Sequence, residues 1–330
     1  MIVLRQGNPP NFTYVDNKGA RITNKATIQY IKSLVIPPKY INVKIHISQK
    51  GGSVCEPDKL TYTGVDEKGR TQYGYSKCWK SKAGKKKYKS LVEFGKTLPK
   101  IRSHINKILS NPNVTKTPTL EVCIALIIRI VNMCHFRLGN LKYKDMYKSY
   151  GIITIERRHL NIKSANKAVI SFIGKKAVKN DCIIECKTTI AHLANMIKDK
   201  SSKEAIFSYD LNGNETVVRA TDINTWMRNF GADITSKMFR TYATNVMLIG
   251  LLREMGNPEP LKLSQRKKNL NIVLDEVSDL VHNTRAVCKK EYTHPDLITM
   301  YLEQPRRFKN KFMGTLDPEP AFLSYLRSTF

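Results

Sequence analysis

The hydrophobic pattern of the chain changes its period near residue 90. Before that point, short strand-like segments are separated by turn signals such as Gly51 and Gly52, and residues 40–47 alternate apolar and polar side chains. After it, apolar residues recur at the spacing of helices. Because a period of two suits strands and a period of 3.6 suits helices, we predict an α+β fold. It has a small β-rich N-terminal domain, residues 1–90, and a larger, mainly α-helical domain, residues 91–330.

In each predicted helix, apolar residues recur three and four positions apart. One helix start is marked by Thr117 and Pro118, with Glu121 in its first turn. Four other segments of this region have strand-like patterns and predict a small antiparallel β patch, in which the last hairpin places Lys175 at its turn. The helical segments are 91–109, 120–138, 188–197, 223–230, 236–252 and 263–280, and the strand segments are 152–155, 159–162, 168–173 and 182–185.

The net charge narrows the choice of partner. The chain has 56 Lys and Arg against 27 Asp and Glu, a formal net charge of +29. Such an excess repels itself unless a polyanion neutralises it, so we expect a nucleic acid first and an anionic membrane surface second. The longest apolar stretch, Val122 to Phe136, contains Arg129 and is too short to cross a bilayer. The first residues lack the pattern of a secretory signal, so we expect an intracellular protein with no membrane partner.

The cysteines give little support for a metal site. There are seven, and the closest pair, Cys182 and Cys186, is separated by three residues instead of the two that most zinc sites use. Only His192 lies near that pair in the sequence. We therefore expect reduced, partly buried thiols and no bound metal.

A dense basic run lies at the junction of the two regions. Residues 77–89, beginning with Lys77, contain seven lysines and no acidic residue, which indicates a surface that follows backbone phosphates. A solvated loop or a nuclear-localisation patch would have the same pattern. Just upstream, the sequence predicts a strand that contains Gln72, Tyr73 and Tyr75. Because side chains alternate along a strand, the two tyrosines would lie on the same face. They are candidate DNA contacts, although two core tyrosines would have the same spacing.

Five separated segments carry polar and basic residues in a distinctive order: Gly69–Tyr75, His135–Asn140, Phe172–Lys175, Lys237–Tyr242 and His282–Tyr292. Together they resemble the signatures of the type IB DNA topoisomerases of poxviruses, giant viruses and some bacteria. The resemblance extends over nearly the whole chain. It implies a catalytic domain of the kind that these enzymes share with tyrosine recombinases.

The resemblance implies a role for five of these residues. Tyr292 would attack a DNA phosphodiester and form a 3′-phosphotyrosyl link, leaving a free 5′-hydroxyl. Arg137 and Arg240 would stabilise the negative charge of the transition state, because guanidinium groups stay protonated and bind phosphate oxygens in pairs. Lys175 would protonate the leaving 5′ oxygen, with Lys237 as a helper. Since the phosphotyrosine conserves the energy of the broken bond, religation would need neither ATP nor metal, and no cofactor is implied.

Two assignments keep an alternative. The family places a phosphate-binding side chain nine positions before the tyrosine, which is Asn283 here, and we favour it over His282, which lies ten positions before. Lys176 competes with Lys175 as the general acid, and the preceding Gly174 favours Lys175. In the poxvirus pattern an acidic residue usually follows the lysine, whereas Lys176 follows Lys175 here. We therefore assign no acidic partner in the proton transfer.

Further positions match family residues that touch DNA: Asn140, Lys142 and Tyr143. The resemblance implies a monomer that clamps duplex DNA between its two domains. A tyrosine recombinase is the nearest alternative, but such enzymes usually have His-x-x-Arg where this chain has Lys237-x-x-Arg240. A basic DNA-binding protein without enzymatic activity is the other alternative, since charge alone would suffice for it.

Overall fold

The computed structural model describes residues 1–50, 53–110 and 118–330. The turn predicted at Gly51 and Gly52 and the Thr117 of the predicted helix start lie outside these residues. The described chain forms two compact units, Met1–Lys87 and Tyr88–Phe330. Strands dominate the first unit and helices the second, so the predicted α+β class is confirmed.

The first unit is built on a five-stranded antiparallel sheet with the strand order β2-β1-β3-β6-β7. The strands of this unit are β1 (Ile2–Asn8), β2 (Asn11–Asp16), β3 (Ile41–His46), β4 (Ser48–Lys50), β5 (Ser53–Cys55), β6 (Leu60–Val65) and β7 (Thr71–Tyr75), and its first helix is α1 (Lys25–Ser33). Strands β4 and β5 form a separate two-stranded sheet. On β3, Val43 and Ile45 are buried while Lys44 is exposed, as the alternating sequence predicts. Ile31 of α1 packs with them in the core.

The basic run forms the beginning of a long helix, α2 (Lys77–Leu109). The helix predicted from residue 91 therefore starts fourteen positions earlier. The hydroxyl of Ser76 accepts a hydrogen bond from the amide of Trp79 at 3.1 Å and caps the first turn, and lysine is a good helix former. The later part of α2 carries the apolar side chains that the sequence pattern marks, among them Leu91 and Phe94, which are buried.

The second unit surrounds a three-stranded antiparallel sheet, in the order β10-β9-β8, with helices. The strands of this unit are β8 (Leu160–Ser164), β9 (Lys167–Ile173), β10 (Lys179–Ile184), β11 (Ser208–Leu211) and β12 (Asn214–Val217). Strands β11 and β12 form a separate two-stranded sheet. Its further helices are α3 (Leu120–Cys134), α4 (Leu141–Tyr147), α5 (Lys187–Ile197), α6 (Ala220–Arg228), α7 (Ser236–Glu254), α8 (Leu263–Leu280), α9 (Arg285–Val287), α10 (Pro295–Glu303), α11 (Pro305–Phe312) and α12 (Pro318–Thr329). Among the residues described, no helix is long and apolar enough to cross a membrane.

One predicted strand is wrong. Residues 152–155 begin with a single 3₁₀ turn, Ile152–Thr154, instead of a strand. The hydroxyl of Thr154 accepts from the amide of Gly151 at 2.9 Å, and the amide of Thr154 donates to the Gly151 carbonyl at 2.8 Å. This side-chain bond offers the backbone an alternative to a strand ladder, and the apolar side chains of the segment are buried without alternation.

A disulfide corrects the expectation of reduced thiols. Cys134, the last residue of α3, is bonded to Cys182 of β10, 48 positions later. The other five cysteines are free. The sequence could not reveal this pair, because a helix end and a strand 48 residues away become neighbours only in the folded chain.

Candidate active site

A cleft of about 290 Å³ lies in the second unit where four segments meet. These are the turn after α3, the β9–β10 hairpin, the start of α7 and the segment that follows α8. Five of the six residues predicted to be catalytic line this cleft, and the sixth, Arg240, is buried against the ring of Tyr292. The lining residues are Arg137, Lys175, Lys176, Val178, Lys237, His282, Asn283, Thr284, Val287, Glu291 and Tyr292.

The backbone that carries Arg137 is held by two glycines. Helix α3 ends at Cys134, and the next residue, His135, adopts a left-handed conformation with φ of 55°. Gly139 has φ of +92° and packs backbone to backbone on Gly151, where an added Cβ would lie 2.5 Å from the Gly139 Cα. The amide of Ile152 then donates to the carbonyl of Arg137 at 2.9 Å. These contacts fix the direction in which the chain presents Arg137 to the cleft.

Neighbouring residues 282 and 283 have different surroundings. The guanidinium of Arg137 donates to the Oδ1 of Asn283 and, at 3.2 Å, to the carbonyl of His282. The ring of His282 is buried, and its Nε2 lies 3.0 Å from the Cys134 carbonyl. Burial, together with the charges of Arg240 and Arg137, lowers the pKa of His282 to about 4. The Asn283 side chain therefore accepts from the cleft arginine and donates its Nδ2 to the Val281 carbonyl at 3.3 Å, while the Nε2 of His282 lies against the Cys134 carbonyl.

Arg240 lies one turn into α7 and is only 2% exposed. One guanidinium nitrogen donates to the Val281 carbonyl at 2.6 Å and another donates to the carbonyl of His135. Its Nε is buried and has no hydrogen-bond partner within the described residues. Burial and the charge of Arg137 lower the pKa of Arg240 to about 10, so it stays protonated at neutral pH. Lys237, one turn earlier on α7, is exposed.

Tyr292 ends a π-helical turn, Cys288–Tyr292, that follows α9. The side chain is mostly buried, and the guanidinium carbon of Arg240 lies 5.3 Å from its ring centroid. Burial by itself raises the pKa of this phenol, but the positive charges of Arg240, Arg137 and Lys237 outweigh burial, and the net pKa is lowered. Tyr292 therefore loses its proton more readily than an ordinary tyrosine.

A residue that sequence reasoning missed holds the backbone of Tyr292. Asn245 on α7 is fully buried, and its Nδ2 donates to the Tyr292 carbonyl at 2.9 Å. Its Oδ1 accepts from the amide of His294 at 2.7 Å. Helix α7 thus carries both Arg240 and the Asn245 side chain that binds the backbone on both sides of Thr293. The available signal was a polar side chain within the apolar face of α7, five positions after Arg240.

Lys175 lies where the hairpin was predicted. The amide of Gly174 donates to the carbonyl of Val178 at 2.8 Å and closes the turn between β9 and β10. Lys176 and Ala177 inside the turn have left-handed φ angles of 62° and 58°. Lys175 and Lys176 are both exposed and both line the cleft, so the choice of Lys175 stays a prediction.

The predicted DNA contacts of the second unit lie on and before α4. The side chain of Asn140 accepts from the amide of Lys142 at 2.8 Å and caps this helix. Lys142 and Tyr143 are exposed, and no residue of α4 is buried. The Tyr143 ring stacks on the Tyr147 ring, with the two ring centroids 5.8 Å apart.

The remaining predicted contacts belong to the first unit. On β7, the rings of Tyr73 and Tyr75 lie side by side, with centroids 6.4 Å apart. The Nε2 of Gln72 donates to Asp66 at 2.9 Å. The amide of Lys77, the first residue of α2, donates to the carboxylate of Glu56 at 3.1 Å.

Known proteins resemble the chain over these same regions. Residues 76–316 match the family model of the eukaryotic DNA topoisomerase I catalytic core, and residues 11–52 match that of the bacterial DNA topoisomerase IB N-terminal domain. A DNA topoisomerase 1B of Acanthamoeba polyphaga mimivirus is 28% identical over 98% of this chain and 93% of its own. The DNA topoisomerase 1B of vaccinia virus (strain Copenhagen) is 24% identical over 73% of this chain and 72% of its own.

Proposed function

The chain belongs to the type IB DNA topoisomerases, and we propose that it relaxes supercoiled duplex DNA through a covalent link to Tyr292. The phenolic oxygen attacks the phosphorus of one DNA strand. A 3′-phosphotyrosyl bond forms as the bond to the 5′ oxygen breaks. The lowered pKa of the phenol supports this role, because a nucleophile must lose its proton on attack.

Arg137 and Arg240 stabilise the charge that gathers on the non-bridging oxygens. Both are fixed before DNA arrives, since they donate to carbonyls or to Asn283. Phosphate oxygens replace some of these acceptors, and the unpartnered Nε of Arg240 supplies a further donor. Asn283 contributes its Nδ2 donor to the same oxygens, in exchange for the Val281 carbonyl that it contacts at 3.3 Å, while its Oδ1 keeps the bond from Arg137.

Lys175 donates the proton that the leaving 5′ oxygen takes up, and Lys237 assists. The exposed position of Lys175 on a turn suits a side chain that must approach the scissile bond. Religation reverses the step: the 5′-hydroxyl attacks the phosphotyrosine and releases Tyr292. Between the two steps the free end rotates and torsional strain is lost. Neither ATP nor metal enters this scheme.

We further propose that a monomer clamps the duplex. The first unit contacts the major groove through Gln72, Tyr73 and Tyr75 and the backbone through Lys77, since amides and phenols can pair with base edges. The second unit adds Asn140, Lys142 and Tyr143. The exposed positions of Lys142 and Tyr143 on α4 and of Tyr73 on β7 support these contacts.

The convergence of six residues from four separated segments around one cleft carries this proposal. The test is relaxation of plasmid DNA by the wild type and by Tyr292→Phe in EDTA without ATP. The wild type should relax both positive and negative supercoils, and Tyr292→Phe should relax neither. Tyr209→Phe, the same change outside the cleft, should behave as wild type. Loss of wild-type activity in EDTA would contradict the mechanism.

A further inference from the structure

A second groove of about 750 Å³ lies on the second unit outside the cleft of Tyr292. It shares no lining residue with that cleft, and none of its residues belongs to the predicted site. Helix α4, the residues after it and strand β9 form its walls. The lining residues are Lys144, Lys148, Tyr150, Glu156, Arg158, His159, Ser171, Phe172, Ile173 and Lys203.

Strand β9 connects the groove to the active-site cleft. Ser171 and Ile173 lie on the more exposed face of β9 and line the groove, and Lys175, two positions later, lines the cleft. Four residues of extended chain span about 13 Å at roughly 3.3 Å per residue. That length equals the axial rise of about four nucleotides of one DNA strand. The groove lining at Ser171 therefore lies within about 13 Å, along the chain, of Lys175 in the cleft, a distance that a DNA strand covers in about four nucleotides.

The groove has an excess of positive charge that is only partly compensated. Four of its side chains are cationic and one, Glu156, is anionic. Glu156 is buried and already accepts from Lys144 at 3.0 Å and Arg158 at 2.7 Å. These two hydrogen-bonded pairs hold the pKa of Glu156 below its usual value despite its burial. The carboxylate thus fixes two cations in the wall.

The other two cations have no such partner. Lys148 and Lys203 are exposed, and within the described part of the chain their ammonium groups form no ion pair or hydrogen bond. Lys148 follows α4 in a left-handed conformation with φ of 49°, so the chain turns there. Two uncompensated lysines from two separate segments, one after α4 and one between α5 and β11, therefore offer positive charge to an anion in the groove.

We propose that this groove binds backbone phosphates of the DNA strand next to the scissile phosphodiester, with Lys148 and Lys203 as the groups that contact them. Arg158 and Lys144 add to the field from their fixed positions, and Ile173 and Tyr150 give the sugars an apolar wall. The site serves affinity and register, and it takes no part in the chemical step. This inference rests on the proposed function, because the cleft must hold the scissile strand.

The test measures non-covalent binding of a duplex oligonucleotide in the Tyr292→Phe background at several salt concentrations. The double variant Lys148→Ala/Lys203→Ala should bind several-fold more weakly. Its slope of log affinity against log salt should be shallower by about 1.8, which is roughly 0.9 for each of two phosphates. The matched control is Lys187→Ala/Lys198→Ala, which removes the exposed first residue of α5 and the exposed residue that follows its end, both outside the groove. Equal slopes in the two double variants would overturn the proposal.

A second measurement locates the contacts and separates DNA from other phosphates. Neutral methylphosphonates are placed singly at the four positions on each side of the cleavage site. One or two of them should weaken binding to the protein with an intact groove and leave the double variant unaffected. If all positions act equally on both proteins, or if inorganic phosphate protects Lys148 and Lys203 from acetylation as well as the duplex does, the groove is not a DNA subsite. Cleavage by the protein that has Tyr292 and an intact groove is measured in parallel, so a failure of the catalytic proposal would be seen separately from a failure of the groove proposal.

Discussion

Two histidines, the half-buried His135 and the buried His282, lie beside the arginines of the cleft. The Nδ1 of His135 is buried without a hydrogen-bond partner among the described residues, and its carbonyl accepts from Arg240. Burial, with the charges of Arg240 and His282, lowers the pKa of His135 to about 4, and that of His282 is lowered to about the same value. Both rings are therefore neutral in the folded protein at neutral pH.

Stability should fall as the pH drops from about 6.5 to about 4. In that window the unfolded chain binds protons at His135 and His282 that the folded chain does not bind, so the free energy of unfolding rises with pH and is lost on acidification. Each histidine contributes a slope of up to about 1.4 kcal/mol per pH unit. Urea unfolding at pH 7, 6, 5 and 4.5 measures how the free energy of unfolding depends on pH.

His135→Asn is the control for that slope, because asparagine tolerates the left-handed conformation. The variant should lose the share of His135, up to about 1.4 kcal/mol per pH unit. An unchanged slope would mean that the His135 ring does not stay neutral in the folded protein at mildly acidic pH.

The roles of residues 282 and 283 can be separated by two substitutions. Asn283→Ala should slow single-turnover cleavage by about 10²-fold, within the range for removing one donor to a developing oxyanion, with little change in DNA affinity. His282→Ala should mainly lower the melting temperature, because its ring binds the Cys134 carbonyl inside the protein. Normal cleavage by Asn283→Ala together with a slow but stable His282→Ala would reverse the assignment.

At the scale of elements, the disulfide joins the two parts that carry cleft cations. Cys134 ends the helix before Arg137, and Cys182 lies on the strand after the Lys175 turn. Closing a loop of 48 residues restricts the unfolded chain and stabilises the fold by about 4 kcal/mol in the loop-entropy estimate. Reduction should therefore lower the melting temperature.

Cys182→Ser should show the same lowering without reductant, and Cys186→Ser, a change at a free cysteine four positions away, should not. The denatured, unreduced protein should titrate five thiols, the number of free cysteines. A count of seven would exclude the disulfide.

The sequence predicted most elements whose periodicity is long and strong. Helix α8 was predicted at the bounds it has, 263–280, and the Lys175 turn was predicted between its two strands. It failed where a local side-chain bond overrode an apolar run, as Thr154 does. It also could not find Asn245, because a residue that binds backbone on both sides of Thr293 acts through a contact that no spacing encodes.

At the scale of the whole molecule, the +29 charge divides into groups with different tasks. Arg137, Lys175, Lys237 and Arg240 lie at the cleft, and four further cations line the second groove together with the end of β9. Other cations, including Lys77, Lys80 and Lys82 at the start of α2, are exposed, and we expect them to be interchangeable as contacts to backbone phosphates. DNA affinity should therefore fall steeply with salt, while the rate of cleavage at saturating enzyme should depend on the few cations of the cleft.

The most direct test of the central claim is identification of the residue that becomes linked to DNA. A duplex oligonucleotide that loses a short 3′ fragment on cleavage traps the covalent complex, which is then digested with protease and analysed by mass spectrometry. The account predicts one nucleotide-bearing peptide, with the 3′ phosphate on Tyr292. A phosphate on another residue, a 5′-linked product, or an adduct formed by Tyr292→Phe would contradict it.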